Sequence, residues 1–412
     1  MYHSDYYYFE MKGFLLMEVL KETEKKVLEV YKKANPSTFF IENSTNEFNA
    51  RMNFMENLYL HRLKFPPKMF KNAQLLDLGT GTGENSLYYL LAGALCTFVE
   101  MNHLACKRAD MLFKKFAPDS SEYQIVNQSL FDYKSDKTYD IVISLGVIHH
   151  TADKKKSFEI QSSFLKKGGF LILGIGNTAG FFQRNLQRAI IYNFAQNENE
   201  IVALAEELFH EHIDRAVKYG GRERKSIIYD SYINPKIDTP SISEILNWFS
   251  NNNLVLYSSW PPIIPAVLAD SPNRKLIQFE KFSNLLSIPE IIYLSHCDDD
   301  EMSLIKNENL LKMSITPFIE FVDLLNNVEP DSDIKYSDIL IKIKTFMEEI
   351  SNLNPYAFHL KNTIVLLEEI KLIINALQEG HIESVKNCIK NSKRLFKGTC
   401  GIGMNWYVAY KQ

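Results

Sequence analysis

The nine residues Leu75 to Gly83, Leu-Leu-Asp-Leu-Gly-Thr-Gly-Thr-Gly, constrain this chain more than any other stretch. Leu75 to Leu78 reads as a short strand apolar on both faces, the pattern of a buried parallel strand. Gly79, Gly81 and Gly83 follow at once, and Glu84 to Ala92 then has the apolar spacing of a helix. A strand, a glycine turn and a helix start together present free backbone N–H groups to a nucleotide-like ligand, and glycine lets the backbone come close to it. The dinucleotide fingerprint is Gly-x-Gly-x-x-Gly, whereas this turn reads Asp-x-Gly-x-Gly-x-Gly from Asp77. Either pattern alone also occurs in plain loops.

A second feature narrows the reading. Cys96-Thr97-Phe98-Val99 is the next apolar run, and Glu100 ends it, with Met101 behind. A carboxylate at a strand end about 20 residues past the glycines is placed to accept hydrogen bonds from ribose hydroxyls. From Gln74 to Gly176 strand and helix alternate, which predicts a parallel sheet covered on both faces. A helix from about Asn102 to Phe116 stops at Pro118, and the third strand is Tyr123 to Val126, leaving through Asn127-Gln128-Ser129-Leu130. Tyr139 to Leu145 is the fourth strand. A helix from about Ala152 to Lys166, a Lys167-Gly168-Gly169 turn and a fifth strand from Phe170 to Gly174 follow. Strands one and four meet where a doubly wound sheet reverses, so their ends open into one crevice.

The fourth strand runs into Ser144-Leu145-Gly146-Val147-Ile148-His149-His150-Thr151. Imidazole titrates near neutral pH, so His149 or His150 is a candidate general base; hydrogen bonding to the backbone at a helix start is the other role for the pair. No carboxylate or cysteine sits at ligand spacing beside them, so no metal site is expected there.

The glycine turn, the acidic strand end and the Leu145 to Thr151 turn resemble the class I S-adenosylmethionine-dependent methyltransferases, of the small-molecule type 11/12 kind. The resemblance implies a Rossmann-like α/β fold with a seven-stranded sheet in the order 3-2-1-4-5-7-6, its last strand antiparallel. It implies S-adenosyl-L-methionine as methyl donor and S-adenosyl-L-homocysteine as product. Asp77, Gly79, Thr80, Gly81, Gly83, Glu100 and Met101 would then bind the cofactor. Ser129 and Leu130 would meet the adenine, although the usual residue at the Ser129 position is Asp, and Ser144 and Leu145 would border the methionyl part.

Around this core the chain carries substantial additions, as its 412 residues require. Residues 1–70 form an N-terminal helical segment: Leu15, Leu16, Val19, Leu20, Val27, Leu28 and Tyr31 lie at helix spacing, Asn35-Pro36 breaks it, and Ser44 or Thr45 caps a second helix through Arg51 to His61. By the resemblance this segment is a lid, and Arg51 or an early tyrosine could touch ligand. The core spans 71–176. Residues 177–235 are a helical insertion and possible substrate cap, with Arg184 and Arg188 on one helix face, the basic loop Gly220 to Lys225, and the series Tyr229-Asp230-Ser231-Tyr232. Asn177, Arg184, Tyr229 and Tyr232 are candidate substrate contacts. Residues 236–261 supply a capped helix and strand six, 262–397 a second helical insertion, and 398–412 the final strand through Trp406 to Tyr410. His296-Cys297-Asp298-Asp299-Asp300-Glu301 reads as an exposed acidic turn.

The formal net charge of −4 gives no electrostatic reason to expect nucleic acid or an anionic membrane as partner. Cys96, Cys106, Cys297, Cys388 and Cys400 are odd in number and form no Cys-x-x-Cys pair, which suits reduced thiols in a cytoplasmic protein. No apolar run approaches the roughly 20 residues that cross a bilayer, and the first ten residues lack a secretory-signal pattern. The expectation is an enzyme moving a methyl group to an O or N atom of a small-molecule acceptor, free to form a homo-oligomer. A nicotinamide dehydrogenase, a methyltransferase acting on a tRNA or protein docked on the long insertion, and a non-catalytic scaffold remain as alternatives.

Overall fold

A computed structural model describes residues 20–35, 38–118, 123–263, 286, 290, 319–320, 322–323, 325–326, 336–352, 361–397 and 403–412. Leu15, Leu16, Val19, Cys297, Cys400 and the His296 to Glu301 turn lie outside these residues.

The order of elements is helix α1 (20–33), α2 (Thr45–Glu56), β1 (Gln74–Leu78), α3 (Ser86–Leu91), β2 (Leu95–Val99), α4 (His103–Phe116), β3 (Tyr123–Val126), β4 (Tyr139–Leu145), α5 (Lys154–Ser163) and β5 (Leu165–Gly176). Then come α6 (Thr178–Phe194), α7 (Glu198–Gly220), α8 (Arg224–Ile228), α9 (Ile242–Asn251), β6 (Leu254–Trp260), α10 (Tyr336–Asn352), α11 (Lys361–Glu379), α12 (Ile382–Asn391) and β7 (Met404–Lys411). The strands form a seven-stranded sheet in the order β3-β2-β1-β4-β5-β7-β6. β7 runs antiparallel to both β5 and β6, and the remaining pairs are parallel.

Alternation along the strands divides the core between the two faces of the sheet. Leu76, Leu78, Val142, Leu171 and Leu173 pack with helices α5 to α9. Leu75, Ile141, Ile143, Ile172 and Val408 pack with α2 to α4. Fully burying one such Leu or Ile contributes roughly 2 kcal/mol, so each face is strongly held. The described helices of the long insertion join the first of these cores through Ile339, Ile343, Phe346, Leu367, Ile370 and Ile374.

Local chemistry sets the helix starts. Ser44 accepts from the Glu47 N–H, Asn102 from Leu104, and Ser241 forms a reciprocal capping box with Glu244. Two of the departures from the sequence reading bear on the site. β5 begins at Leu165 rather than Phe170, because Leu165 already pairs with Tyr139 and the Gly168–Gly169 turn becomes an irregularity inside the strand. The helix expected from Ala152 is a 3-10 turn at Ile148–His150 followed by α5 from the Asp153 cap, so His149 and His150 stand before the helix proper.

Candidate active site

Reversal of strand order between β1 and β4 leaves a crevice at their C-terminal ends. There the glycine turn leaves β1. Gly79 has φ +84°, and a Cβ on it would lie 2.3 Å from Val147 Cγ2, so both backbone and space require glycine. Its N–H donates to the Val99 carbonyl at 2.8 Å, tying the turn to the end of β2. Gly83 is the point where the turn packs on α4: a Cβ there would stand 2.8 Å from Ala109 Cβ.

Glu100 is buried beside this turn. Its Oε2 accepts the Gly81 N–H at 2.9 Å and its Oε1 the Asn102 N–H at 2.8 Å. Burial raises its pKa, and those N–H groups oppose the rise. A carboxylate has about four acceptor positions, so room remains for ligand hydroxyls. Asp77 sits behind the turn: its Oδ2 accepts from the Ser86 hydroxyl at 2.5 Å, and burial pushes its pKa up to about 7.

The crevice deepens into a cavity of about 670 Å³. Among the cofactor residues expected from sequence, Gly79, Gly81, Glu100, Met101, Ser129, Leu130 and Leu145 are on its wall. Asp77, Thr80, Gly83 and Ser144 stand behind it, Thr80 donating to the Asp77 carbonyl at 3.3 Å and Ser144 with a buried hydroxyl that has no hydrogen-bond partner among the described residues. Helix α1 closes over the opening: Asn102 Nδ2 donates to the Tyr31 carbonyl at 3.3 Å, and the Ser129 hydroxyl donates to Glu24. Arg51 reaches in from α2, donating to Asn85 Oδ1 and lying 3.7 Å from the centre of the Phe39 ring.

At the other end stand the two histidines, with ring centres 4.2 Å apart. His149 is buried, and its Nδ1 accepts the Gly176 N–H at 3.3 Å, which leaves the proton on Nε2. Burial, then the neighbouring His150 and Arg184, holds it neutral, well below the ordinary imidazole value. His150 has the opposite tautomer. Its Nδ1 is 2.7 Å from the Lys236 carbonyl, which can only accept, so Nδ1 carries the proton and Nε2 keeps a lone pair. Nε2 is 3.7 Å from Asp230 Oδ1. Burial lowers the His150 pKa, while Asp230 and the Lys236 carbonyl pull the other way. Burial would raise Asp230, but Arg222 at 3.2 Å, His150 and Arg184 outweigh it and hold the carboxyl low.

Of the expected substrate contacts, Arg51 and Arg184 are on the cavity wall, whereas Asn177, Tyr229 and Tyr232 are not. Asn177 caps α6 through the Gly180 N–H, Tyr229 donates to Glu198, and buried Tyr232 donates to Gln187. The spacing that nominated these three is instead the spacing of a cap and a packed helical turn. Tyr31, one of the N-terminal tyrosines, is on the wall, and so are Asn85, Gln128, Arg222, Asp230 and Trp406, none of which the sequence singled out as a contact. Arg222 was visible only as part of a basic loop, and Asp230 only as the neighbour of Tyr229.

The sheet order, with its last strand antiparallel, is that of the class I S-adenosylmethionine-dependent methyltransferase fold. Residues 76–173 match the family model described as methyltransferase domain. No curated protein matches the chain. Among solved structures, YcgJ from Bacillus subtilis is 16% identical, with 52% of this chain and 72% of that chain covered and a TM-score of 0.31. Magnesium protoporphyrin IX methyltransferase from Synechocystis, with bound S-adenosylhomocysteine, is 13% identical over 60% of this chain and 91% of its own, TM-score 0.33. PKMT2 from Rickettsia typhi is 13% identical over 57% of this chain and 46% of its own, TM-score 0.39.

Proposed function

We propose that the protein methylates an oxygen or nitrogen atom of a small-molecule acceptor bound in the same cavity as the cofactor. One observation carries the reading. A single cavity runs from the glycine turn and Glu100 to His149, His150, Arg184 and Asp230, with helices α1 and α2 over it. Its volume is that of a small-molecule site rather than a docking face.

The cofactor, when bound, supplies a methyl group already activated on positively charged sulfur. The chain's residues then have three tasks. Gly79, Gly81 and Glu100 hold the nucleoside end. Tyr31, Met55, Leu58 and Trp406 keep water from the reacting atoms. His150 Nε2 takes the acceptor's proton, because its lone pair is free and Asp230 stabilises the cation that results. His149, with its proton on Nε2, serves as a hydrogen-bond donor to the acceptor rather than as the base.

The test uses methyl-tritiated S-adenosylmethionine and an extract of the source cells separated into metabolite, RNA and protein fractions. Label should enter the metabolite fraction. Label confined to RNA or protein would reject the small-molecule reading while leaving methyl transfer intact.

A further inference from the structure

We infer that the acceptor carries an anionic group, a carboxylate or phosphate, and that Arg184 is its seat. This rests on the reading that acceptor and cofactor share the cavity, and it specifies the acceptor's chemistry.

Arg184 projects from α6 onto the cavity wall at the histidine end. Its Nη2 is 3.2 Å from His212 Nε2. A guanidinium only donates, so His212 must accept there and be neutral, and its own burial followed by the nearby Arg184 and Arg215 charges pushes its pKa down to about 3. Arg184 is therefore backed by an uncharged ring. Its Nε is buried without a hydrogen-bond partner, and among the described residues no carboxylate lies within 4.0 Å of it. Asp230 acts on the guanidinium only at longer range and is itself paired with Arg222, so a buried guanidinium with no direct ion-pair partner favours an anion brought by the ligand.

The other charges at this end of the wall are already engaged. Arg222 is held by Asp230 at 3.2 Å; elsewhere on the wall, Glu24 takes the Ser129 hydroxyl and Glu100 takes two backbone N–H groups. Arg51 shares an unpartnered buried Nε, but it stands at the glycine-turn end, donating to Asn85 and stacked on the Phe39 ring, away from the histidines. Arg188, one helical turn from Arg184, shows the contrast: it is off the cavity wall and donates to the Ser231 carbonyl at 3.2 Å. Of the two arginines on this helix face, one is finished by the protein and one is left open toward the ligand. Arg184 also lies close enough to both histidines to lower their basicity, so an anion bound to it would raise the proton affinity of His150 as the acceptor docks.

The experiment uses the full chain and isothermal calorimetry, first with S-adenosylhomocysteine, then with inorganic phosphate, benzoate and neutral benzamide, each with and without the nucleoside. Absence of nucleoside heat would count against the methyltransferase reading alone, since the anion arm is read independently. The unaltered chain should bind benzoate or phosphate saturably, the stronger of the two naming the group, and should not bind benzamide. Arg184→Met should weaken that anion at least about tenfold, the worth of a charged hydrogen bond, with nucleoside affinity unchanged. Arg184→Lys should fall between, keeping the charge but losing the fork. No saturable anion heat, or equal affinity in Arg184→Met, overturns the proposal. Should Arg184→Met fail to fold, the Arg184 Nε–H resonance of the unaltered chain decides, assigned by its absence in Arg184→Lys. It should move with the anion and not with benzamide, and a stationary signal overturns the proposal.

Discussion

The two ends of the cavity are built on different principles. At the glycine-turn end the polar groups are satisfied by backbone from neighbouring residues: Gly79 on Val99, Gly81 and Asn102 on Glu100. At the histidine end the groups are side chains from distant segments, among them Tyr31, His150, Arg184, Arg222 and Asp230, and one of their charges, Arg184, has no direct ion-pair partner among the described residues. The first end is a rigid cradle for a ligand of fixed shape. The second is a charged chamber whose details can vary while the cradle stays the same.

Four substitutions press on this contrast. His150→Ala should have the largest effect, lowering turnover of the labelled metabolite about 10² to 10⁴-fold with nucleoside affinity kept, since general-base assistance is worth that much. The proposed base role also gives a sign for pH: it requires neutral His150, whose pKa is depressed, so turnover should fall only below the ordinary 6.5, as pH drops through the lowered value. Retained turnover in His150→Ala would remove the base from the histidine end.

Glu100→Ala comes next. It should weaken S-adenosylhomocysteine about 100-fold by calorimetry, because the ribose partner goes and the Gly81 and Asn102 N–H groups lose their acceptor. Unchanged affinity would show that the cradle is shape alone.

Asp77→Asn reads out in stability instead. The folded Asp77 pKa, about 7, stands above the ordinary 3.8, so its contribution to stability is full below 3.8 and is lost as pH rises through about 7. Asn keeps an acceptor for Ser86 and removes the buried charge. Thermal unfolding at pH 9 should therefore show Asp77→Asn more stable than the unaltered chain by on the order of 4 kcal/mol, with no gain at pH 3. Equal melting at both pH values would place the carboxylate in a better-solvated setting than its burial implies. Ser144→Ala is the smallest: its hydroxyl has no partner among the described residues, so denaturant unfolding should change by less than about 0.5 kcal/mol.

The same contrast explains what could be read from sequence. β3 and β4 have the bounds expected, because buried strands are apolar runs closed by turn residues. The glycines and Glu100 were legible because their partners are local or one strand away. Asn177 and Tyr232 were misplaced toward the ligand because a cap and a buried tyrosine carry the same residue types as a binding site. Arg222 and Asp230 were missed because their ion pair and its contact with His150 exist only once a helical turn at Tyr229–Ile233 folds back over the 3-10 turn at Ile148–His150. No local pattern encodes that meeting.

The central claim is that the cradle at Gly79, Gly81 and Glu100 holds S-adenosyl-L-methionine. Calorimetric titration of the full-length chain with S-adenosylhomocysteine tests it most directly. One saturable site is expected, weakened by Glu100→Ala and unaffected by Arg184→Met; absence of binding in the unaltered, folded chain would contradict the account.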